Sequence, residues 1–169
     1  RENLWIPEAL DEYDEKYYRE WAHEIPPMMH LNRGTVIDMH HNLYLPISGR
    51  AVDVAEFMST REKTQSGCFV LESSATVMHS IIHMFANEDS SSWMRDLVDL
   101  YMLIQEFESN DFWNKLLGYA QKTQFEFEFV SCMYSLTYYT NIKLPKAVQA
   151  YLITFPLNRW QTWLIHKAI

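Results

Sequence analysis

Glycine and proline are scarce in this chain, with four and six residues respectively out of 169. Flexible linkers and collagen-like repeats are rich in both, and a phosphate-binding loop needs several glycines close together. Hydrophobic residues, in contrast, make up 48% of the chain and aromatic residues 15%. This composition excludes a linker or a disordered tail, and it predicts a folded chain of ordinary domain size.

Basic residues are also few: the chain has 14 Lys and Arg but 22 Asp and Glu, which gives a formal charge of −8. Binding to a nucleic-acid backbone needs a basic stripe that displaces counterions. We therefore expect no nucleic-acid backbone as a partner. Residues 1–24 are the most acidic part, and a solvent-exposed helix face explains them more simply than an acidic docking site.

Long apolar runs and paired cysteines are missing as well. No run reaches the roughly 18 residues that a membrane span needs, and no signal peptide opens the chain. The two cysteines, Cys68 and Cys132, are far apart in sequence, which favours buried thiols over a disulfide. These features predict a cytoplasmic protein without a membrane span.

The two ends of the sequence look cut or processed. The chain begins with Arg1 rather than Met, and it stops at Ile169 inside an apolar periodic segment without a helix-terminating residue. We therefore expect a fragment of a larger protein.

The first half of the chain has mixed patterning. Pro7 is predicted to be the first residue of an acidic helix, which Pro26 and Pro27 end. Residues 28–31 and 35–45 then predict a β-hairpin around Gly34, with alternate residues of the second strand on a core face and a polar face.

Helical periodicity dominates from Val52 onward. The predicted helices cover residues 53–63, 74–87, 91–107, 111–122, 125–140, 145–155 and 157–168. The fold class is therefore predicted to be α+β and predominantly α-helical, with a short β-hairpin followed by a helical bundle. We expect a single domain or fragment in which residues 1–50 form the N-terminal helix and hairpin and residues 51–169 form the bundle.

Asp38 and His40 are the first candidates for chemistry. They stand two residues apart on the predicted second strand, which places them on one face about 7 Å apart. Together they offer groups that can bind a metal ion or a phosphate. For the residues alone, a solvated or salt-bridged aspartate is the simpler interpretation of Asp38. His23 precedes the Pro-Pro step and is either near the face of Asp38 or on the surface.

A second set of candidates is helical. His79 and His83 lie four residues apart on a predicted helix, a spacing at which two imidazoles can bind one Zn²⁺. Ser80 stands where a metalloprotease has its glutamate, which argues against that class. Structural polar pairing with Asp96 and Asp99 of the next helix is the favoured interpretation.

Four strings of this sequence resemble, in order, the uncharacterised nucleotidyltransferase family of bacterial proteins. They are HEIPP (23–27), GTVIDMHHN (34–42), HSIIHMF (79–85) and MRDLVDL (94–100). The similarity extends over about residues 20–140, although none of the strings is a catalytic signature. The resemblance implies a nucleotidyltransferase fold that transfers a nucleotidyl group from an NTP to an unknown acceptor with Mg²⁺.

The resemblance also implies roles for individual residues. In the family a turn with glycine precedes a strand bearing two acids, and this sequence has no such strand before its hairpin. Asp38, flanked by Ile37 and Met39, resembles the third acid and is the predicted catalytic residue and metal ligand. His40 and His23 would lie beside that site. The helical residues His79, His83, Asp96 and Asp99 would be structural rather than catalytic.

The chain would then be the C-terminal portion of a nucleotidyltransferase. It would be inactive alone and would bind no metal, because one carboxylate cannot hold two Mg²⁺ ions. The alternative is a non-catalytic binding or assembly module that uses its Asp and His residues only structurally. The oligomeric state stays open.

Overall fold

The computed structural model describes residues 4–168, apart from Glu8, residues 51–52 and residues 87–89. The chain divides into two compact units, Arg1–Val54 and Ala55–Ile169. The described residues are predominantly helical with a few short strands, which confirms the α+β class with helix dominant.

Unit 1 contains a small antiparallel sheet and one helix. Its elements are β1 (Trp5–Pro7), α1 (Glu12–Glu20), β2 (Met28–His30), β3 (Val36–Ile37) and a 3₁₀ turn at Pro46–Ser48. The strand order is β1-β2-β3, and β2 and β3 form the predicted hairpin with Met28 opposite Ile37. The sheet therefore has one strand, β1, that the sequence patterning did not predict.

Strand β3 is much shorter than the predicted span 35–45. Continuing its register would place Pro27 opposite Asp38, and a proline has no N–H to donate to a ladder. Pairing resumes beyond the two prolines, where Glu24 and His40 form an isolated antiparallel bridge. The ladder is thus interrupted at Asp38, which the alternation of residue types did not reveal.

The prediction that one face of this strand is core is wrong. Ile37 and Met39, both on that face, are 39% and 49% exposed, and Val36 on the opposite face is 61% exposed. Alternation determines which side chains share a face, but whether a face is covered depends on elements that are distant in sequence.

Helix α1 begins at Glu12 and not near Pro7, which ends β1. The helix starts where it does because the Asp11 carboxylate accepts a hydrogen bond from the Asp14 N–H at 2.8 Å and so caps the first turn. Aromatic side chains contact one another along this helix, and the rings of Tyr13 and Trp21 meet edge to face with centroids 6.2 Å apart. No residue of α1 is buried.

Unit 2 is a helical bundle whose helices follow the predicted order. They are α2 (Val54–Ser59), α3 (Ser73–Ala86), α4 (Trp93–Phe107), α5 (Asn110–Thr123), α6 (Glu126–Tyr139), α7 (Lys146–Thr154) and α8 (Arg159–Ala168). Helix α2 is shorter than predicted because a second hairpin follows it, with β4 (Glu62–Lys63) antiparallel to β5 (Phe69–Val70). Gly67 allows its tight turn by adopting a φ of 88°.

Helix α3 is the centre of this bundle and packs against α4, α5 and α6. Its apolar residues recur at helical spacing, so that Val77, Met78, Ile81 and Ile82 are all fully buried. At its start the Glu72 carboxylate accepts a hydrogen bond from the Ala75 N–H at 2.8 Å. None of the described helices has the length and apolar content that crossing a bilayer requires.

The two cysteines have different environments. Cys132 on α6 is buried as predicted, whereas Cys68 is exposed, so the prediction of two buried thiols is wrong for Cys68. Cys68 lies in the turn of the β4–β5 hairpin, which the helical patterning of the region did not indicate. Burial raises the pKa of the Cys132 thiol well above its ordinary value.

We expect one thiol per chain, that of Cys68, to react with a disulfide reagent at pH 8. Cys132 should react only after denaturation, because the thiolate is the reactive form and burial both suppresses that form and excludes the reagent. Reaction with 5,5′-dithiobis(2-nitrobenzoate), before and after guanidinium, measures this. Cys68→Ser should abolish the fast reaction, and two fast thiols in the native protein would contradict the expectation.

Candidate functional site

Asp38 directly follows β3 and is exposed. Its carboxylate forms no hydrogen bond or ion pair with the residues that the structure describes. A carboxylate in this state is available to an external cation, because no neighbouring donor occupies its oxygens. The structure therefore leaves Asp38 accessible, as a metal ligand must be before the metal binds.

His40, the second residue of the predicted pair, is directed towards other partners. Its Nε2 lies 3.5 Å from the Oε2 of Glu24, and its ring contacts that of His23 edge to face with centroids 4.7 Å apart. One ligand atom from each of these three residues lies within 4.8 Å of the other two. They form one cluster, which we call the His-Glu cluster.

The backbone brings the members of the His-Glu cluster together. The N–H of Ile25 donates to the carbonyl of Met39 at 2.9 Å, and the N–H of His41 donates to the carbonyl of His23 at 2.9 Å. These hydrogen bonds flank the Glu24–His40 bridge on both sides. His23 lies in a bend rather than in a regular strand, which lets its side chain and that of the next residue approach the same point.

Glu24 was not among the residues singled out from the sequence. Its neighbours His23 and His40 were, as residues beside the site of Asp38, and the structure places both of them in the His-Glu cluster. The sequence nevertheless contained a signal that Glu24 could lie near His40. Pro26 and Pro27 end one segment just before a hairpin, so the residues before them are able to pair with the end of the returning strand.

His30, on the other side of the two prolines, has a structural role. It is buried, its ring packs edge to face on Trp5 with centroids 5.0 Å apart, and its Nδ1 accepts a hydrogen bond from the N–H of Asn32. These contacts join β1 to the end of β2.

The four helical candidates line one cavity in unit 2. A cavity of about 290 Å³ between α3 and α4 is lined by His79, His83, Asp96 and Asp99 together with Ser80 and three apolar residues. Asp96 accepts a hydrogen bond from the Ser92 hydroxyl at 2.8 Å and pairs with Arg95 at 3.3 Å, while Asp99 is exposed. The cavity brings the predicted partners together, and direct imidazole–carboxylate pairing stays a prediction.

The zinc alternative for this helix pair gains no support from its geometry. The rings of His79 and His83 lie 6.4 Å apart between centroids. Among the residues that the structure describes, the group of three or more ligands close enough to share a metal ion is the His-Glu cluster in unit 1.

Comparisons with known proteins identify the family of the chain. The search of the curated proteins and the search of the solved structures each found no match. The sequence model of the family described as "Uncharacterised nucleotidyltransferase" matches residues 1–139, which include Asp38, the His-Glu cluster and the cavity between α3 and α4. The chain thus belongs to the uncharacterised nucleotidyltransferase family.

Proposed function

We propose that the protein, in its full-length form, transfers a nucleotidyl group from an NTP to an acceptor that is still to be identified. One observation carries this proposal: the family match extends over residues 1–139 and includes the segment in which Asp38 follows β3. The accessible carboxylate of Asp38 is consistent with it, because a group that binds a metal ion and substrate must be open to solvent.

Asp38 is proposed to be one of the acids that bind Mg²⁺. Mg²⁺ prefers oxygen ligands in octahedral geometry, and the exposed Asp38 carboxylate is a ligand of this type. When bound, Mg²⁺ would neutralise the charge of the triphosphate. Asp38 belongs to no group of three or more such ligands among the described residues, so the proposal requires further acids from other parts of the full-length protein.

A non-catalytic binding or assembly module is the second candidate. The observation in its favour is that Asp38 belongs to no group of three metal ligands among the described residues. In such a module Asp38 would be a solvated surface residue, and the protein would bind a partner without turning over a nucleotide.

Nucleotide turnover separates the two candidates. The full-length protein is incubated with each NTP, labelled at the α-phosphate, in a cell extract that supplies acceptors, with Mg²⁺ or with EDTA. We expect Mg²⁺-dependent release of pyrophosphate and transfer of label to an acceptor. Absence of both with all four NTPs would contradict the transferase proposal and favour the binding module.

The coding sequence before Arg1 provides an independent test. The proposal requires a strand with two acids one residue apart after a turn containing glycine. A full-length sequence without such a strand would also contradict the proposal.

A further inference from the structure

We propose that His23, Glu24 and His40 form a binding site for one Zn²⁺ ion. The three residues offer two imidazole nitrogens and one carboxylate oxygen, the ligand set of zinc sites that keep a fourth position open for water or a substrate. Mg²⁺ does not take imidazole ligands readily, so this site is chemically different from the one proposed for Asp38. The inference does not rest on the proposed function.

The distances in the His-Glu cluster suit a tetrahedral ion. Zinc bonds of about 2.0–2.1 Å place two ligand atoms roughly 3.3 Å apart. His40 Nε2 and Glu24 Oε2 are already 3.5 Å apart, and all three ligand atoms lie within 4.8 Å of one another. Side-chain rotations that move the ligand atoms by about 1 Å would therefore complete the site without a change of the backbone.

The scaffold places these ligands before any ion binds. The backbone hydrogen bonds from Ile25 to Met39 and from His41 to His23 hold the two segments in register. An ordered scaffold lowers the entropic cost of binding because only the side chains must become fixed. The arrangement thus resembles a preformed site more than a chance encounter of surface residues.

The His-Glu cluster is also accessible. The side chains of His40 and Glu24 are 44% and 28% exposed, whereas His23 is half-buried. An ion can enter from the side of His40, and its open position would face solvent there. The simpler role of the same residues is an ion pair between Glu24 and a protonated His40, which contributes little to stability when exposed.

Zinc titration of the metal-free protein tests the site. We expect isothermal calorimetry to give one Zn²⁺ per chain, and Co²⁺ as a probe to develop the visible absorption of a tetrahedral site. His23→Ala and His40→Ala should each weaken Zn²⁺ binding by about 10-fold or more. Glu24→Gln, which keeps the shape of the side chain, should weaken binding too.

Two control variants keep the test specific. His41→Ala removes an exposed imidazole next to the cluster, and Asp38→Asn alters the acid proposed for the transfer reaction. Both should bind Zn²⁺ as the unaltered protein does. The proposal would be overturned if Zn²⁺ binding were not stoichiometric or if His40→Ala bound Zn²⁺ as tightly as the unaltered protein. It would also be overturned if His41→Ala weakened binding as much as His40→Ala does. Zinc binding is read without a nucleotide, so it can fail or succeed independently of the transferase proposal.

Discussion

Asp38→Asn is expected to lower Mg²⁺-dependent nucleotidyl transfer by the full-length protein on the order of 100-fold. Asparagine keeps the shape of the side chain but loses the negative charge and one of the two acceptor oxygens. Since the Asp38 carboxylate makes no bond to the described residues, the substitution should leave the melting temperature nearly unchanged. Rates of pyrophosphate release, with thermal melts alongside, measure both effects.

Asp111→Asn is the matched control for this substitution. Asp111 is an exposed aspartate at the start of α5 that pairs with Lys115 at 2.9 Å, and it lies in unit 2. An exposed pair of this kind contributes little to stability, so transfer and folding should both persist. Transfer that is unaffected by Asp38→Asn would remove Asp38 from the site.

Ile81→Ala is expected to lower the free energy of unfolding by about 2–5 kcal/mol. Ile81 is fully buried on α3, the helix that packs against α4, α5 and α6. The substitution removes three carbon atoms from a closely packed interior and leaves a cavity that the neighbouring helices can fill only in part. Chemical denaturation with urea, followed by circular dichroism, measures the change.

Ile153→Ala is the control for this prediction, because it deletes the same atoms from a side chain on α7 that is 80% exposed. Its expected effect is within about 0.5 kcal/mol. Equal destabilisation by the two substitutions would contradict the placement of α3 at the centre of the bundle. The comparison requires that both variants keep the slope of the unfolding free energy against urea concentration, because a changed slope reflects a different denatured state or loss of two-state unfolding.

The helical part of the fold was predictable from the sequence because its signal is local. Apolar residues at helical spacing determine which face of α3 is buried, and Pro145 and Pro156 mark where α7 begins and where the chain leaves it. The order of four sequence strings likewise predicted the family, which the match over residues 1–139 confirms.

The strands that were missed are short, and one of them pairs with a strand distant in sequence. Strand β1 is only three residues long, and its pairing with β2 joins residues on either side of α1. The exposure of Cys68 follows from a hairpin of two-residue strands, which are too short to produce a recognisable alternation.

The sequence by itself determined the class of fold, the positions of the helices in the bundle, the family and Asp38 as a candidate, because each depends on local spacing or on the order of residues. Only the tertiary structure decided that β3 stops before Asp38 and that His40 turns to Glu24 and His23. The physical reason is pairing across a proline step: two prolines without N–H groups interrupt the ladder and shift its register beyond them. The His-Glu cluster depends on this register, so it can be recognised only when both segments are seen together.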